Sequence, residues 1–211
     1  MARKLQTPSG AEVVALAYEA ALEPARLPEL AEAMARVAGA EASIWLESTG
    51  RSRQAAGMMQ TGLSQAIMEQ YACTAWSSPL VPALLKVAPE VAKTDRMLLD
   101  RRIFERSTFY QNWVRPLGLG EGLIVSFAPL QQESIAVTLL RDSRTRLNWT
   151  AGSPDFKRFC QVVPYIGRAA VLRTQLNMHA GATPAGAANA FRCAAHRCAG
   201  GGSSGPAALG E

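Results

Sequence analysis

The sequence has few of the residues on which enzyme chemistry commonly depends. It contains two histidines in 211 residues, and both stand close to the C-terminal end, at His179 and His196. A Ser/His or Cys/His arrangement therefore cannot form inside the body of the chain. The carboxylates of Asp95 and Asp100 lie in no recognisable acid/base context, so we expect them to be surface charges in a loop. These absences predict a protein that is not an enzyme.

Long hydrophobic runs are absent as well. No apolar stretch approaches the roughly 18 residues that a helix needs to cross a bilayer. Residues 1–10 carry Arg3 and Lys4 but lack the apolar segment and the cleavage site of a signal peptide. We expect these residues to be disordered. The sequence therefore predicts a cytoplasmic protein that does not contact a membrane.

Cysteines are scarce and widely spaced, which argues against a disulfide framework in a chain of this length. Cys193-x-x-His196-x-Cys198, with His179 upstream, lacks the two tight ligand pairs of a structural zinc site. We therefore predict no metal and no cofactor. Cys73 is either a small buried hydrophobic residue, which is the commoner role, or a redox-sensitive thiol. The four cysteines are Cys73, Cys160, Cys193 and Cys198.

The basic residues do not form a nucleic-acid-binding pattern. The net charge is +5 and the isoelectric point is about 9.3, largely because of scattered arginines. Binding to nucleic acid usually needs a dense basic stripe or a reading helix, and neither is present. We expect a solvated surface and no direct contact between this chain and DNA. The arginines concerned are Arg101, Arg102, Arg106, Arg141, Arg144 and Arg146.

The composition predicts one globular domain, because 48% of the residues are hydrophobic and 18% are charged. Apolar spacing in the first half predicts two short helices within residues 11–38 and a hairpin of strands at 43–48 and 53–60. A further amphipathic helix is predicted over residues 63–76. Prolines interrupt the pattern between residues 80 and 102, where we expect short helical turns and a brief extended piece.

The second half predicts a helix from Glu105 that ends at Pro116, then a glycine turn over residues 118–122. Two strands follow, at 123–128 and 134–140. Ser153 and Pro154 open a long helix that continues to about Met178. This order of elements favours an α+β fold, with an antiparallel sheet flanked by helices, over a parallel βαβ series.

One motif resembles a known family. Residues 107–119, STFYQNWVRPLGL, resemble the signature S-x-F-Y-x-x-W/F-x-R-P-x-G-L in the N-terminal sensory region of LuxR-type helix-turn-helix regulators. Those regulators carry a GAF- or PAS-like domain before the DNA-binding module. Tyr71 followed by Ser78-Pro79, and residues 164–169, PYIGRA, resemble two further stretches of the same family. The resemblance covers roughly residues 10–177.

The resemblance implies that residues 11–178 form a GAF/PAS-like sensory domain for an unknown small molecule. Tyr71 or Trp45 could supply a polar anchor in a mostly apolar pocket. Ser78-Pro79 stands where acyl-homoserine lactone sensors have Asp-Pro, which argues against that ligand. For each aromatic residue of the motif, the alternative is plain core packing. The predicted pocket wall consists of Trp45, Met58, Tyr71, Trp76, Phe109, Trp113 and Phe127.

A second hypothesis is a dimerisation module with a filled core, in which the helix at residues 156–176 pairs two protomers. In either case we expect a homodimer or a heterodimer with related regulators.

The C-terminal segment departs from the resemblance. Residues 179–211 are rich in alanine and glycine, with Phe191 and Leu209 as their only large apolar residues, and they show no helical period. Members of the family continue instead into a helix-turn-helix. We therefore expect a disordered tail, a chain truncated before its DNA-binding domain, and a shifted reading frame as the cause.

Overall fold

A five-stranded antiparallel sheet with helices on both faces forms the centre of the protein. A computed structural model describes residues 7–49, 54–129, 133–145 and 148–179. The helices in these ranges are α1 (Gly10–Leu22), α2 (Leu27–Ala38), α3 (Gln65–Thr74), α4 (Leu80–Leu84), α5 (Asp95–Leu98), α6 (Arg101–Arg106) and α7 (Pro154–His179), and a π-helical turn spans Tyr110–Val114. The strands are β1 (Ala42–Thr49), β2 (Gln54–Thr61), β3 (Lys93–Thr94), β4 (Leu119–Phe127) and β5 (Glu133–Asp142).

The strand order is β2-β1-β5-β4-β3, and each neighbouring pair is antiparallel. In the centre of the sheet, Ala136 of β5 lies opposite Leu46 of β1 and Ser126 of β4. Successive side chains of a strand point to opposite faces. From Glu121 onwards in β4, and throughout β1 and β5, even-numbered residues therefore share one face of the sheet, and odd-numbered residues share the other.

The odd-numbered face packs against α1, α2 and α7 and forms the larger hydrophobic core. Val137 and Leu139 of β5 are fully buried there, together with Phe159 of α7. Local signals explain the helix ends. Ser9 and Glu12 form a capping box at the start of α1, and Gly39 ends α2 in the left-handed conformation that glycine adopts readily.

The even-numbered face carries a second core, built from α3 to α6 and the π-helical turn. The helices that cover this face are short, and polar side chains cap the start of several of them. Thr94 caps α5 and Asp100 caps α6, each through a side-chain oxygen that accepts a backbone N–H. The predicted short turns between residues 80 and 102 are therefore present. The extended piece there is β3, the outermost strand of the sheet.

In the glycine-rich segment, Gly118 lies in a turn as predicted, but residues 119–122 are strand, so the prediction of a turn over the whole segment was wrong. Gly118 alone has a positive φ, at 67°, and β4 begins at Leu119. Gly120 is needed for close backbone approach, because an added Cβ would lie 2.6 Å from the Cα of Ser143. The π-helical turn also replaces the end of the regular helix that we predicted from Glu105 to Pro116.

Arg141 is buried, contrary to the expectation that the arginines are solvated. Its guanidinium donates to the carbonyls of Ala38 and Gly39 and pairs with Asp155 at 2.7 Å. The same group lies over the ring of Trp149, 4.1 Å from its centroid. It thereby joins the end of α2 to the first turn of α7. Arg144, two residues after the end of β5, is exposed as predicted.

The predicted α+β class, with an antiparallel sheet flanked by helices, is confirmed. The long helix begins at Pro154 as predicted and contains 26 residues, with Pro164 inside it. Within the part of the chain that the structure describes, no helix is long and apolar enough to span a membrane. The expectations for residues 1–6 and 180–211, for Arg146 and for the side chain of Cys73 lie outside the described residues. Cys160 is a half-buried free thiol.

Candidate ligand-binding cavity

A cavity of about 320 Å³ lies between the even-numbered face of the sheet and the short helices that cover it. Its floor is formed by β1, β4 and β5. At the centre of the floor the register brings Ser126 and Ala136 side by side, with Ser134 next along β5. Because these side chains are small, they leave space that isoleucine or leucine would fill. Such a volume is typical of small-molecule sites.

An aromatic cluster lies across one end of the cavity. Phe109 and Trp113 are stacked with their ring centroids 5.4 Å apart, and Tyr71 of α3 lies 4.8 Å from Trp113. Phe109 and Trp113 of the motif are four residues apart, and the π-helical turn places both side chains in the cavity wall beside Val114. Trp113 is 2% exposed and Phe109 is 6% exposed. The motif therefore contributes both to the second core and to the cavity wall.

The exposure of the lining residues locates the mouth of the cavity. Ile124 and Leu140, on the floor beside the aromatic cluster, are buried. Pro89, Leu85 and Ser134 are exposed and also line the cavity. The closed end is consequently aromatic and aliphatic. The open end lies between the segment after α4 and the adjoining ends of β4 and β5.

The polar groups of the lining are mostly hydroxyls. Ser48 and Ser134 face each other across β1 and β5, with their oxygens 2.7 Å apart. The Ser78 hydroxyl is buried and accepts the backbone N–H of Leu80 at 3.3 Å. Burial raises the pKa of Tyr71 to about 12, so its hydroxyl stays protonated at neutral pH. These groups offer uncharged hydrogen-bond donors and acceptors to a ligand.

Two carboxylates lie beside the closed end. Asp95 is 3% exposed, so the expectation of a surface charge at this position was wrong, whereas Asp100 is exposed as expected. Asp95 accepts the backbone N–H of Arg96 at 2.7 Å and pairs with Arg101 at 3.2 Å. Glu121 accepts the backbone N–H of Trp149 at 2.8 Å. Both carboxylates therefore already hold parts of the protein together.

Burial raises the pKa of Asp95 to about 6; Arg101 opposes the shift, and the neighbouring Glu121 adds to it. Arg101 also donates to Glu105, to the carbonyl of Gly120 and to the hydroxyl of Tyr110. The sequence favoured a solvated arginine here, but its side chain is 22% exposed. It binds α5, α6 and the start of β4 into one wall of the cavity.

Three of the predicted pocket residues, Tyr71, Phe109 and Trp113, are brought together in the cavity wall. Phe127 borders the cavity but belongs to the core on the opposite face of the sheet. Met58 is on the cavity side, opposite Leu46, yet it packs beside the second core and does not line the cavity.

Trp45 is the clearest departure from the predicted wall. It occupies an odd-numbered position of β1 and is therefore buried against the helices on the other face. Its indole N–H donates to Glu47 at 3.0 Å, so Trp45 supplies no anchor to the cavity. The side chain of Trp76 lies outside the described residues. That Tyr71, Phe109 and Trp113 bind a ligand stays a prediction.

The sequence analysis overlooked the small residues of the floor. In β5, Ser134, Ala136 and Thr138 alternate with large apolar residues at 135, 137 and 139. Such alternation is usually attributed to a solvent-facing strand surface. Here the smaller side chains face the covering helices instead, and they make the cavity possible.

Comparison with known proteins shows a similarity of fold. No protein family and no curated protein sequence matches the chain. Among solved structures, the fold is similar to the LBD (ligand-binding) domain of VqsR from Pseudomonas aeruginosa, with a TM-score of 0.57 and 12% sequence identity. The match covers 78% of this chain and 96% of that one. At this level of identity the similarity demonstrates a common fold.

Proposed function

We propose that this chain is the sensory input domain of a bacterial transcription regulator and binds a small, largely apolar molecule in the cavity. The observation that carries the proposal is the cavity itself, about 320 Å³ in volume and lined mainly by aromatic and aliphatic side chains. A folded domain gains stability from filling such space with side chains, so an open cavity of this size in the second core is characteristic of a binding site.

Two further observations support the proposal. The motif at residues 107–119 resembles the sensory region of LuxR-type regulators, and its aromatic residues Phe109 and Trp113 line the cavity. The fold is similar to a domain described as the LBD domain of VqsR. The GAF- or PAS-like character, the cytoplasmic location, the dimer and the loss of a DNA-binding domain remain predictions from the sequence.

The alternative of a dimerisation module with a filled core is less favoured, because the second core is not filled. Apolar residues of α7 do reach the surface, among them Tyr165 and Leu176, and pairing of protomers through this helix is compatible with a sensor. The two functions therefore differ in whether the cavity has an occupant.

Thermal unfolding of the full chain tests the proposal. Butylbenzene, an apolar probe that fits the cavity, should raise the unfolding temperature in a concentration-dependent way. Ala136→Leu, which places a larger side chain on the cavity floor, should remove that response. Ala15→Leu makes the same change at an exposed position of α1 and should leave the response intact. The proposal fails if neither butylbenzene nor a broader panel of apolar molecules stabilises the folded wild-type chain, or if Ala136→Leu responds like the wild type.

A further inference from the structure

The cavity has two chemically different ends, and the difference limits what it can hold. The closed end is formed by Phe109, Trp113 and Ile124, which are buried and apolar. Towards the mouth, the floor changes to Ser126 and Ser134. The Ser126 hydroxyl has no hydrogen-bond partner among the described residues, although its carbonyl accepts the backbone N–H of Glu90 at 2.7 Å. An occupant can therefore satisfy this hydroxyl.

The charged side chains that line the cavity are of one sign. Of the described residues that line it, Asp95 and Glu121 are acidic and none is lysine, arginine or histidine. The nearest guanidinium, that of Arg101, is already engaged by Asp95 and Glu105. A carboxylate or phosphate group of a ligand would give up part of its hydration here without gaining a cation from the lining, and this is unfavourable for a charge without a partner.

The carboxylates of the closed end are poorly placed to bind a ligand head group. Asp95 accepts N–H groups from Arg96 and Arg101, and Glu121 holds the backbone of Trp149 through one oxygen. The second oxygen of Glu121 is buried and has no hydrogen-bond partner among the described residues, but it lies 3.6 Å from the guanidinium of Arg96, whose charge it balances. Near the mouth, the Ser126 hydroxyl has no such partner in the described part of the chain, and the Ser134 hydroxyl shares one hydrogen bond with Ser48.

From this arrangement we infer that the cavity takes an elongated amphipathic molecule without negative charge, held in one orientation. Its apolar part lies against the aromatic cluster of Tyr71, Phe109 and Trp113. Its polar group, a hydroxyl or an amide, lies near the mouth and hydrogen-bonds to Ser126 and Ser134. This inference rests on the proposed function, since it assigns the chemical class and the orientation of the occupant of the same site.

A matched set of probes tests the inference by calorimetric titration of the full chain. The set is 4-phenylbutanol, 4-phenylbutanamide, 4-phenylbutyrate and butylbenzene, which share the phenyl group and differ at the other end. The alcohol and the amide should bind about tenfold more tightly than the acid at pH 7.5, because the acid gives up part of the hydration of its charge and the lining offers it no cation. Equal or tighter binding of the acid would overturn the inference.

Variants test the orientation. Ser126→Ala should reduce the affinity for the alcohol and the amide roughly fivefold, the value of one or two hydrogen bonds, and should leave butylbenzene unchanged. Tyr71→Phe, which removes a hydroxyl at the closed end, should preserve the preference for the alcohol over butylbenzene. If Tyr71→Phe abolishes that preference and Ser126→Ala does not, the polar group lies at the closed end and the orientation is wrong.

The experiments distinguish failure of the proposed function from failure of the inference about the ligand. If butylbenzene binds and the polar probes bind no better, the site exists and the inference about its ligand class is incorrect. If none of the four probes binds to a chain that is demonstrably folded, the small-molecule site itself is absent and both proposals fail together.

Discussion

The side chain of Glu90 lies directly over Gly167 of α7. A Cβ added to Gly167 would stand 2.4 Å from a carboxylate oxygen of Glu90, and all three of its nearest neighbours would be atoms of that side chain. Glu90 has a positive φ of 64°, which is unusual for a residue with a side chain. The segment therefore passes from the cavity mouth at Pro89 to the helix side of the sheet through one strained residue.

This contact predicts that the effect of Gly167→Ala depends on Glu90. Alanine is favoured over glycine within a helix by about 1 kcal/mol. In a Glu90→Gly background, where the space is open, Gly167→Ala should therefore raise the free energy of unfolding by about that amount. With Glu90 present the gain should shrink or become a loss. Denaturant unfolding of the four chains measures the coupling, and additive effects would show that Glu90 does not obstruct the site.

Arg141 should be essential to stability, whereas Arg144 should not. Arg141→Met removes the donor to the Gly39 carbonyl, one of the two donors to the Ala38 carbonyl and one of the two arginines that pair with Asp155, and we expect a loss of about 3 kcal/mol or more. Arg144→Met is the matched control, because that side chain is 90% exposed and pairs only at the surface. Urea unfolding compares the two. Similar losses for both variants would contradict the role assigned to Arg141.

Asp95 should make stability depend on pH in the acidic range. Its pKa is about 6 in the folded protein and lies near 3.8 without the surrounding structure, so the folded state binds more protons between these values. By linkage, the contribution of Asp95 to stability is greatest below pH 4, decreases as the pH rises to about 6 and is constant above that.

The measurement is the difference in unfolding free energy between the wild type and Asp95→Asn as a function of pH. This difference isolates Asp95 from other groups that titrate in the same range. The unfolding free energy of the wild type relative to that of Asp95→Asn should decrease from pH 4 to pH 6 and then stay constant. If this difference is independent of pH, or if the relative stability of the wild type increases with pH, the pKa of Asp95 is not raised.

Substitutions of Trp45 and Trp113 should have different effects on folding and on ligand binding. Trp45→Phe removes the indole N–H that binds Glu47 and should lower stability, but it should leave the affinity for butylbenzene within about twofold. Trp113→Ala removes part of the cavity wall and should weaken binding about tenfold or more. Titration of each folded variant with butylbenzene measures these affinities. Weakened binding in Trp45→Phe would place this residue at the cavity after all.

The sequence by itself determined the class of fold and most of its elements. Hydrophobic periodicity, the Ser-Pro helix start at Ser153 and Pro154 and the β-branched runs of β4 and β5 are local signals, and the structure contains the helices and strands that they predict. The aromatic motif at residues 107–119 was likewise readable, because four-residue spacing brings Phe109 and Trp113 to one face. Local chemistry is enough for conclusions of this kind.

Tertiary structure alone decided which face of the sheet each residue joins and which charges are buried. Trp45 and Ile44 are neighbours in sequence, yet the first packs against α-helices of the main core and the second lines the cavity. Arg141 is a charged residue that is buried because a distant segment, the end of α2, supplies its hydrogen-bond acceptors. The cavity itself arises where small residues of β4 and β5 meet in register. Such pairings join residues far apart in sequence, and no local pattern of amino acids specifies them.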